Sequence, residues 1–228
     1  MTAAIGLYIN LELPAPWHPA TEPIPLIVYG ASSAVGAFAI KLAVRSNIHP
    51  IIAVGGKGEV FVKSIIDESK GDVFVDYRGG ADQLVEGMKA GLKGEEVFHA
   101  YDAISEKGSF EACSKVLSEG GKITLVMPGG DYSAIPRTLK SSITYVGLVH
   151  DSNTIDNKTV NWKNHVNGLD FGYVYFKLFG QGLKEGWLKP HPYEVVPGGL
   201  NGIPEALTNL REGKSSAVKY VFKIEDTP

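Results

Sequence analysis

The stretch Leu26-Ile-Val-Tyr-Gly-Ala-Ser-Ser-Ala-Val-Gly36 decides how this chain is read. Leu26–Tyr29 is a short apolar run stopped by Gly30, the pattern of a buried strand. Ser33–Ser46 then places Val35, Phe38, Ala39, Leu42 and Ala43 on one stripe at helical spacing. Only small residues lie between the two. Free backbone N–H groups and the positive end of the helix dipole favour an anion there, and small residues let a phosphate approach the backbone. The predicted contacts are Gly30, Ser32, Ser33, Ala34, Val35 and Gly36. Ser32 and Ser33 would add hydroxyl donors, and Gly36 would let the helix pack close against the strand. The loop departs from G-x-G-x-x-G, with Ala31 and Ser33 where the first two glycines would stand. A βα turn that binds nothing is the alternative, and the strand–turn–helix context favours the anion.

Working outward, apolar runs at Ile51–Val54, Val73–Asp76, Val97–Asp102 and Lys122–Val126 predict further strands, with a sixth at Ile143–Leu148. Helical spacing is predicted over Glu59–Ile66, Ala81–Leu92 and Ser109–Leu117. Strands that are apolar throughout and alternate with helices argue a parallel sheet covered on both faces. Six of them make a doubly wound α/β fold of Rossmann type over residues 26–150. Residues 14–25 hold five prolines and read as an extended linker. Residues 2–12 read as a helix that belongs to something upstream or packs on an edge, so 1–25 is set apart from the sheet domain. Residues 151–228 are expected to pack on the same domain. They comprise a polar surface loop at 151–168, an aromatic-rich helix Phe171–Lys184, a strand Tyr193–Val196, a helix Ile203–Leu210 and a final edge strand Lys219–Ile224.

The tip of the second strand carries the next signal. Sites for NAD usually place an Asp or Glu there to hold the adenosine ribose. Here the segment is Ala53-Val-Gly-Gly-Lys-Gly58, without an acid. Gly55 and Gly56 leave room and Lys57 supplies a cation, which suits the extra phosphate of NADP(H). An ordinary solvated lysine is the alternative for Lys57, and the absent acid is the stronger half of the argument.

Composition fits a soluble globular protein with a substantial core: 228 residues, 44% apolar and 21% charged. A net charge of −3 gives no basic face for nucleic acid or an anionic membrane. No stretch reaches the length of a transmembrane helix, and the start lacks the form of a signal peptide, so the expected compartment is cytoplasmic. A single cysteine, Cys113, excludes an internal disulfide and a cysteine-based zinc site, and reads as a buried small residue. The six histidines show no ligand spacing, so no metal site is expected. The loop is neither a nucleophile elbow nor a Walker A motif.

The runs PLIVYGASSAVGAFAIKLA, HPIIAVGGKG, DVFVDYR, VFHAYDAIS and GGKITLV, with VVPGGLNGIPEALTNLREGKSSAVKYVFKI near the end, resemble the medium-chain dehydrogenase/reductases. Within them the chain is most similar to the zinc-free quinone oxidoreductases and the fungal trans-acting enoyl reductases. The resemblance implies that Ser32–Val35 hold the cofactor pyrophosphate and that Gly55, Gly56 and Lys57 surround the 2′-phosphate of NADPH. It implies that Tyr77 contacts that phosphate or the adenosine. It brings Asp102 and Ile104, Leu125 and Val126, and Ser216 and Ala217 near the cofactor, and turns Gly147 and Leu148 toward the substrate. No catalytic residue or proton donor is assigned. Members of the family begin with a GroES-like domain that forms half of the active-site cleft, and the main departure expected here is that Met1 starts at the helix entering the cofactor domain, without that upstream domain.

Two classes of function are carried forward. One is an NADPH-dependent oxidoreductase that reduces an activated C=C of a small-molecule substrate by hydride transfer, with a partner chain or as a homodimer. The edge strand Ile143–Leu148 is the candidate for joining two sheets. The other is a scaffold protein with or without cofactor, or a shortened reductase turned to a non-redox reaction such as cyclisation. A fragment of a longer product is a further alternative.

Overall fold

The computed structural model describes residues 1–106, 108–150 and 167–228. Six parallel strands form one sheet in the order β3-β2-β1-β4-β5-β6. They are β1 Leu26–Tyr29, β2 Ile51–Gly55, β3 Val73–Asp76, β4 His99–Asp102, β5 Lys122–Leu125 and β6 Lys140–Ile143. The strand order reverses between β1 and β4, the topological switch point of a doubly wound sheet. Helices α2 Ala34–Arg45, α3 Glu59–Lys63, α4 Ala81–Leu92 and α5 Ser109–Ser114 connect the strands.

Alternation along β1 sorts the core into two layers. Leu26 and Val28 join the α2 side, where Ala39, Ile40 and Ala43 pack. Ile27 and Tyr29 join the α4 and α5 side, with Leu84, Met88, Phe110 and Cys113. Cys113 is a packing residue, its thiol pushed up by burial and therefore unreactive.

Two expectations are corrected. The sixth strand is Lys140–Ile143, while Val146–Val149 forms a 3₁₀ turn. An edge strand needs only one buried face, so Lys140-Ser-Ser-Ile143 pairs with β5 despite its polarity. The more apolar Leu148 and Val149 instead pack on Ile5. Residues 2–12, read as peripheral, lie in the core. They form α1 (Thr2–Ala4), which continues as a π-helical turn over Ile5–Asn10. Leu7 and Leu11 are fully buried, each worth about 2 kcal/mol of transfer free energy. The Asn10 amide donates to Thr124 Oγ1 and Thr144 Oγ1, each at 2.9 Å, which ties this segment to β5 and the end of β6.

Beyond the sheet, α6 (Gly168–Glu185) buries Tyr175, whose ring stacks on Tyr8 at 5.2 Å and Phe171 at 4.2 Å. The loop expected over 151–168 lies outside the described residues except for its last two positions. Helix α7 spans Ile203–Arg211. A two-stranded sheet joins β7 (Tyr193–Val195) to β8 (Lys219–Val221) in parallel.

Candidate functional site

At the carboxyl ends of β1, β2 and β3 lies a cleft of about 850 Å³, within the usual range for small-molecule sites. Its floor is the turn after β1. Gly30 adopts φ +76°, and an added Cβ there would press on Ile104. Ser33 caps α2, its Oγ accepting the Gly36 amide at 3.0 Å. The amides of Ala31 and Ser33 bond the carbonyls of Val54 and Gly30. The amides of Ser32, Ala34 and Val35 have no acceptor among the described residues. Three N–H groups without a partner among the described residues thus lie in the turn and at the N-terminus of a twelve-residue helix, a combination that favours an anion. Gly36 sits behind the turn: a Cβ there would stand 2.2 Å from the Gly30 carbonyl oxygen.

The β2 end forms the adjoining wall. Gly55 and Gly56 are buried and Lys57 is exposed. A Cβ on Gly56 would meet the Tyr77 ring at 3.0 Å, so Tyr77 lies against the β2 tip, itself stacked on Tyr29 at 6.2 Å. Burial pushes the Tyr29 phenol up to about 12, so it stays protonated. Lys57 forms no ion pair with another described residue. The carboxylate at the tip of β3, Asp76, is engaged by Arg78, whose Nε reaches both oxygens at 3.0 Å. Arg78 holds that carboxyl below its ordinary value.

The C-terminal segment closes the far side. Gly58 is the pinch point: a Cβ there would lie 2.4 Å from Ser32 Cβ and 3.1 Å from Ala217 Cβ. Ser216 and Ala217 thus face the turn across the β2–α3 loop, although they lie some 180 residues away in sequence.

Of the residues singled out from sequence, Gly30, Ser32, Ser33, Ala34, Gly55, Gly56, Lys57, Tyr77, Ile104, Ser216 and Ala217 line this cleft. Val35, Gly36, Asp102, Leu125 and Val126 do not, and Gly147 and Leu148 do not line it either. Asp102 is fully buried and builds the loop after β4. It accepts the Ile104 and Ser105 amides at 2.9 and 2.8 Å and the Ser109 hydroxyl at 2.5 Å. Desolvation raises its pKa against those three donors. Val126 donates its amide to Ser105 Oγ, and Leu125 is core. Leu148 is buried beneath α6 against Ile5. Its side chain therefore faces the interior, because a helix covers that turn.

Sequence reading missed Tyr29, Arg78, Glu106, His191 and the apolar wall of Leu207, Tyr220 and Phe222. Tyr29 is the last residue of β1, and its place beside Gly30 was the available signal. The others reach the cleft through tertiary packing alone. Among the described residues no cluster of His, Cys, Asp or Glu could hold a metal, and no helix is long and apolar enough to cross a membrane.

No protein-family model matches the chain. It is 45% identical over 204 residues to the trans-enoyl reductase fsr4 of Gibberella fujikuroi, covering 88% of this chain and 56% of that protein. It is 30% identical over 234 residues to the trans-enoyl reductase pvhC of Talaromyces variabilis, covering 98% of this chain and 62% of that protein. The chain thus spans less than two thirds of the length of these relatives. Among solved structures it superposes on the JamJ enoyl reductase with a TM-score of 0.65 at 18% identity, over 96% of this chain and 60% of that one. It superposes on CurA of Vibrio vulnificus, crystallised in complex with NADPH, with a TM-score of 0.63 at 20% identity, over 96% and 60% of the two chains. By sequence the chain is thus similar to fungal trans-enoyl reductases over the part of their length that it spans, and it shares the fold of the solved enoyl reductases.

Proposed function

We propose that this chain is the NADPH-binding part of an enoyl reductase that reduces an activated C=C of a small-molecule substrate. One observation carries the cofactor reading: the β2 tip offers Gly55, Gly56 and a Lys57 that forms no ion pair among the described residues, beside a helix N-terminus with three amides that have no acceptor among those residues. The trans-enoyl reductase relatives support the reaction class.

The fit to a dinucleotide rests on the cradle. Side chains at Gly36, Gly56 or Gly58 would run into the turn, Tyr77 or Ser32, so the walls are already as close as backbone allows. The amides of Ser32, Ala34 and Val35 would hold the pyrophosphate. Lys57 would pair with the 2′-phosphate, and the Tyr77 ring would flank the adenosine. Ser216 and Ala217 would cover the cofactor from the other side. Asp102, Val126 and Leu125 would support the nicotinamide end from beneath rather than touch it. When bound, the nicotinamide supplies a hydride to the double bond, and the protein's task is to orient it and exclude water. The remaining wall of the substrate pocket would come from a further domain, a partner chain or a second copy, in the cytoplasm.

Replacing Lys57 by Ala is expected to weaken NADPH binding about tenfold and NADH binding less than twofold, measured by calorimetry. Equal losses for both cofactors would contradict the 2′-phosphate assignment.

A further inference from the structure

The C-terminal wall of the cleft holds a side chain with no role so far. His191 lies just before β7, lines the cleft and is only 8% exposed. Its Nδ1 is buried and has no hydrogen-bond partner among the described residues. Its Nε2 has no partner among the described residues either, and it is the nitrogen that remains accessible. A buried imidazole normally satisfies at least one nitrogen within the protein, so two unused ones call for an explanation.

The ring is nonetheless held in place. It stands edge-on to Phe61 of α3, with centroids 5.1 Å apart. The backbone on its N-terminal side is fixed by Lys41 of α2, whose Nζ donates to the Lys189 and Pro190 carbonyls at 3.0 and 3.2 Å. On the other side the Lys219 amide donates to the Pro192 carbonyl at 2.8 Å. The position is thus built by its neighbours while its polar atoms remain free.

The surroundings are cationic. Burial, then Lys41 and Lys219, hold the imidazole below its ordinary value, so it is neutral at pH 7. Such a ring carries one N–H. With Nδ1 sealed off, the proton belongs on the accessible Nε2, which becomes a donor to a ligand in the cleft. Phe61 follows Lys57 by four residues, so His191 borders the same β2–α3 segment that presents Lys57. The acid of that segment, Glu59, is paired with Lys63 at 2.8 Å. What this corner lacks is an oxygen-rich anion.

We propose that His191 is a specificity residue that donates a hydrogen bond from Nε2 to the phosphate monoester on the adenosine ribose of the cofactor, opposite Lys57. The proposal rests on the NADPH reading above the C-terminal edge of the sheet. It assigns part of the cofactor choice to the C-terminal segment rather than to the β2 tip alone.

The test is calorimetric titration of the whole chain with NADPH, NADH, 2′,5′-ADP and 5′-AMP, for the wild type, His191→Phe and His191→Gln. Phenylalanine keeps the ring and its contact with Phe61 but has no donor, whereas glutamine restores a donor. His191→Phe is expected to weaken NADPH and 2′,5′-ADP five- to tenfold and to change NADH and 5′-AMP less than twofold. Glutamine is expected to recover most of the loss. A thermal midpoint within a few degrees of wild type shows that the fold is intact. Unchanged NADPH binding in His191→Phe, equal loss for all four ligands, or no recovery by glutamine would overturn the assignment while leaving the NADPH reading standing. Wild-type protein that binds neither dinucleotide would remove the NADPH reading itself, and this proposal with it.

Discussion

The two ends of the central sheet are built from opposite materials. At the carboxyl end, strands run out into Gly30, Gly55 and Gly56, where the Ser32, Ala34 and Val35 amides and the Lys57 ammonium have no partner among the described residues. At the amino end, polar groups are turned inward on one another. The fully buried carboxylate of Asp72 accepts His49 Nδ1 at 2.8 Å, the Ile51 amide at 2.7 Å and the Asp67 amide at 2.8 Å. Lys122 at the start of β5 pairs with Glu12. Strand β2 shows both ends at once: its first amide is held by Asp72, and its last residues are bare backbone facing the cleft. One end keeps hydrogen-bonding capacity for a ligand, and the other uses it to fix strand positions. Substitutions at the amino end should therefore alter stability with little effect on binding, and substitutions in the turns after β1 and β2 should do the reverse.

The largest effect is expected from Asp72→Ala. It strands the buried Ile51 amide, the part-buried Asp67 amide and the His49 ring nitrogen, and should cost about 3–5 kcal/mol in urea unfolding, with the dinucleotide affinity of the folded fraction unchanged. A loss below 1 kcal/mol would show that water replaces the carboxylate and would blunt the contrast. Ala34→Glu is the mirror experiment. Ala34 is exposed in the first turn of α2, so a carboxylate there favours the helix dipole by about 0.3–1 kcal/mol while occupying the anion site. Stability should hold or rise slightly, and affinity for both NADPH and NADH should fall at least thirtyfold. Unchanged affinity would move the phosphate elsewhere.

A smaller effect separates the two ends by pH. His99, the first residue of β4, has its pKa lowered from 6.5 to about 4, chiefly by burial and then by Lys122. The fold therefore favours the neutral ring. Its contribution is complete above pH 6.5 and is lost as pH falls toward 4. Allowing for partial exposure, this amounts to about 1–2 kcal/mol. Urea unfolding between pH 7 and 4.5 should show a steeper decline for the wild type than for His99→Gln. Parallel curves would mean that the amino end does not sense this proton.

The same contrast explains how much was legible in the sequence. Strand β1, its turn and α2 follow from local signals: an apolar run, a glycine at positive φ and a capping serine, all within eleven residues. The β2 tip was readable for the same reason. The N-terminal segment was misjudged because prolines and Glu12 mask Leu7 and Leu11, whose burial depends on a sheet far along the chain. Strand β6 was displaced because an edge strand needs little hydrophobicity, whereas the apolar run beside it serves a different layer. Asp102 sits at the expected strand end but faces inward, a choice made by Ser105 and Ser109 rather than by its own position. The far wall of the cleft, with His191, Leu207 and Tyr220, carries no motif because its members meet only in the folded chain.

The central claim is that the carboxyl end of this sheet holds NADPH. The most direct test is a calorimetric titration of the purified chain with NADPH and with NADH under identical conditions. The account predicts saturable binding of NADPH at one site per chain, at least tenfold tighter than NADH. Equal affinity for the two, or binding of neither, would contradict it.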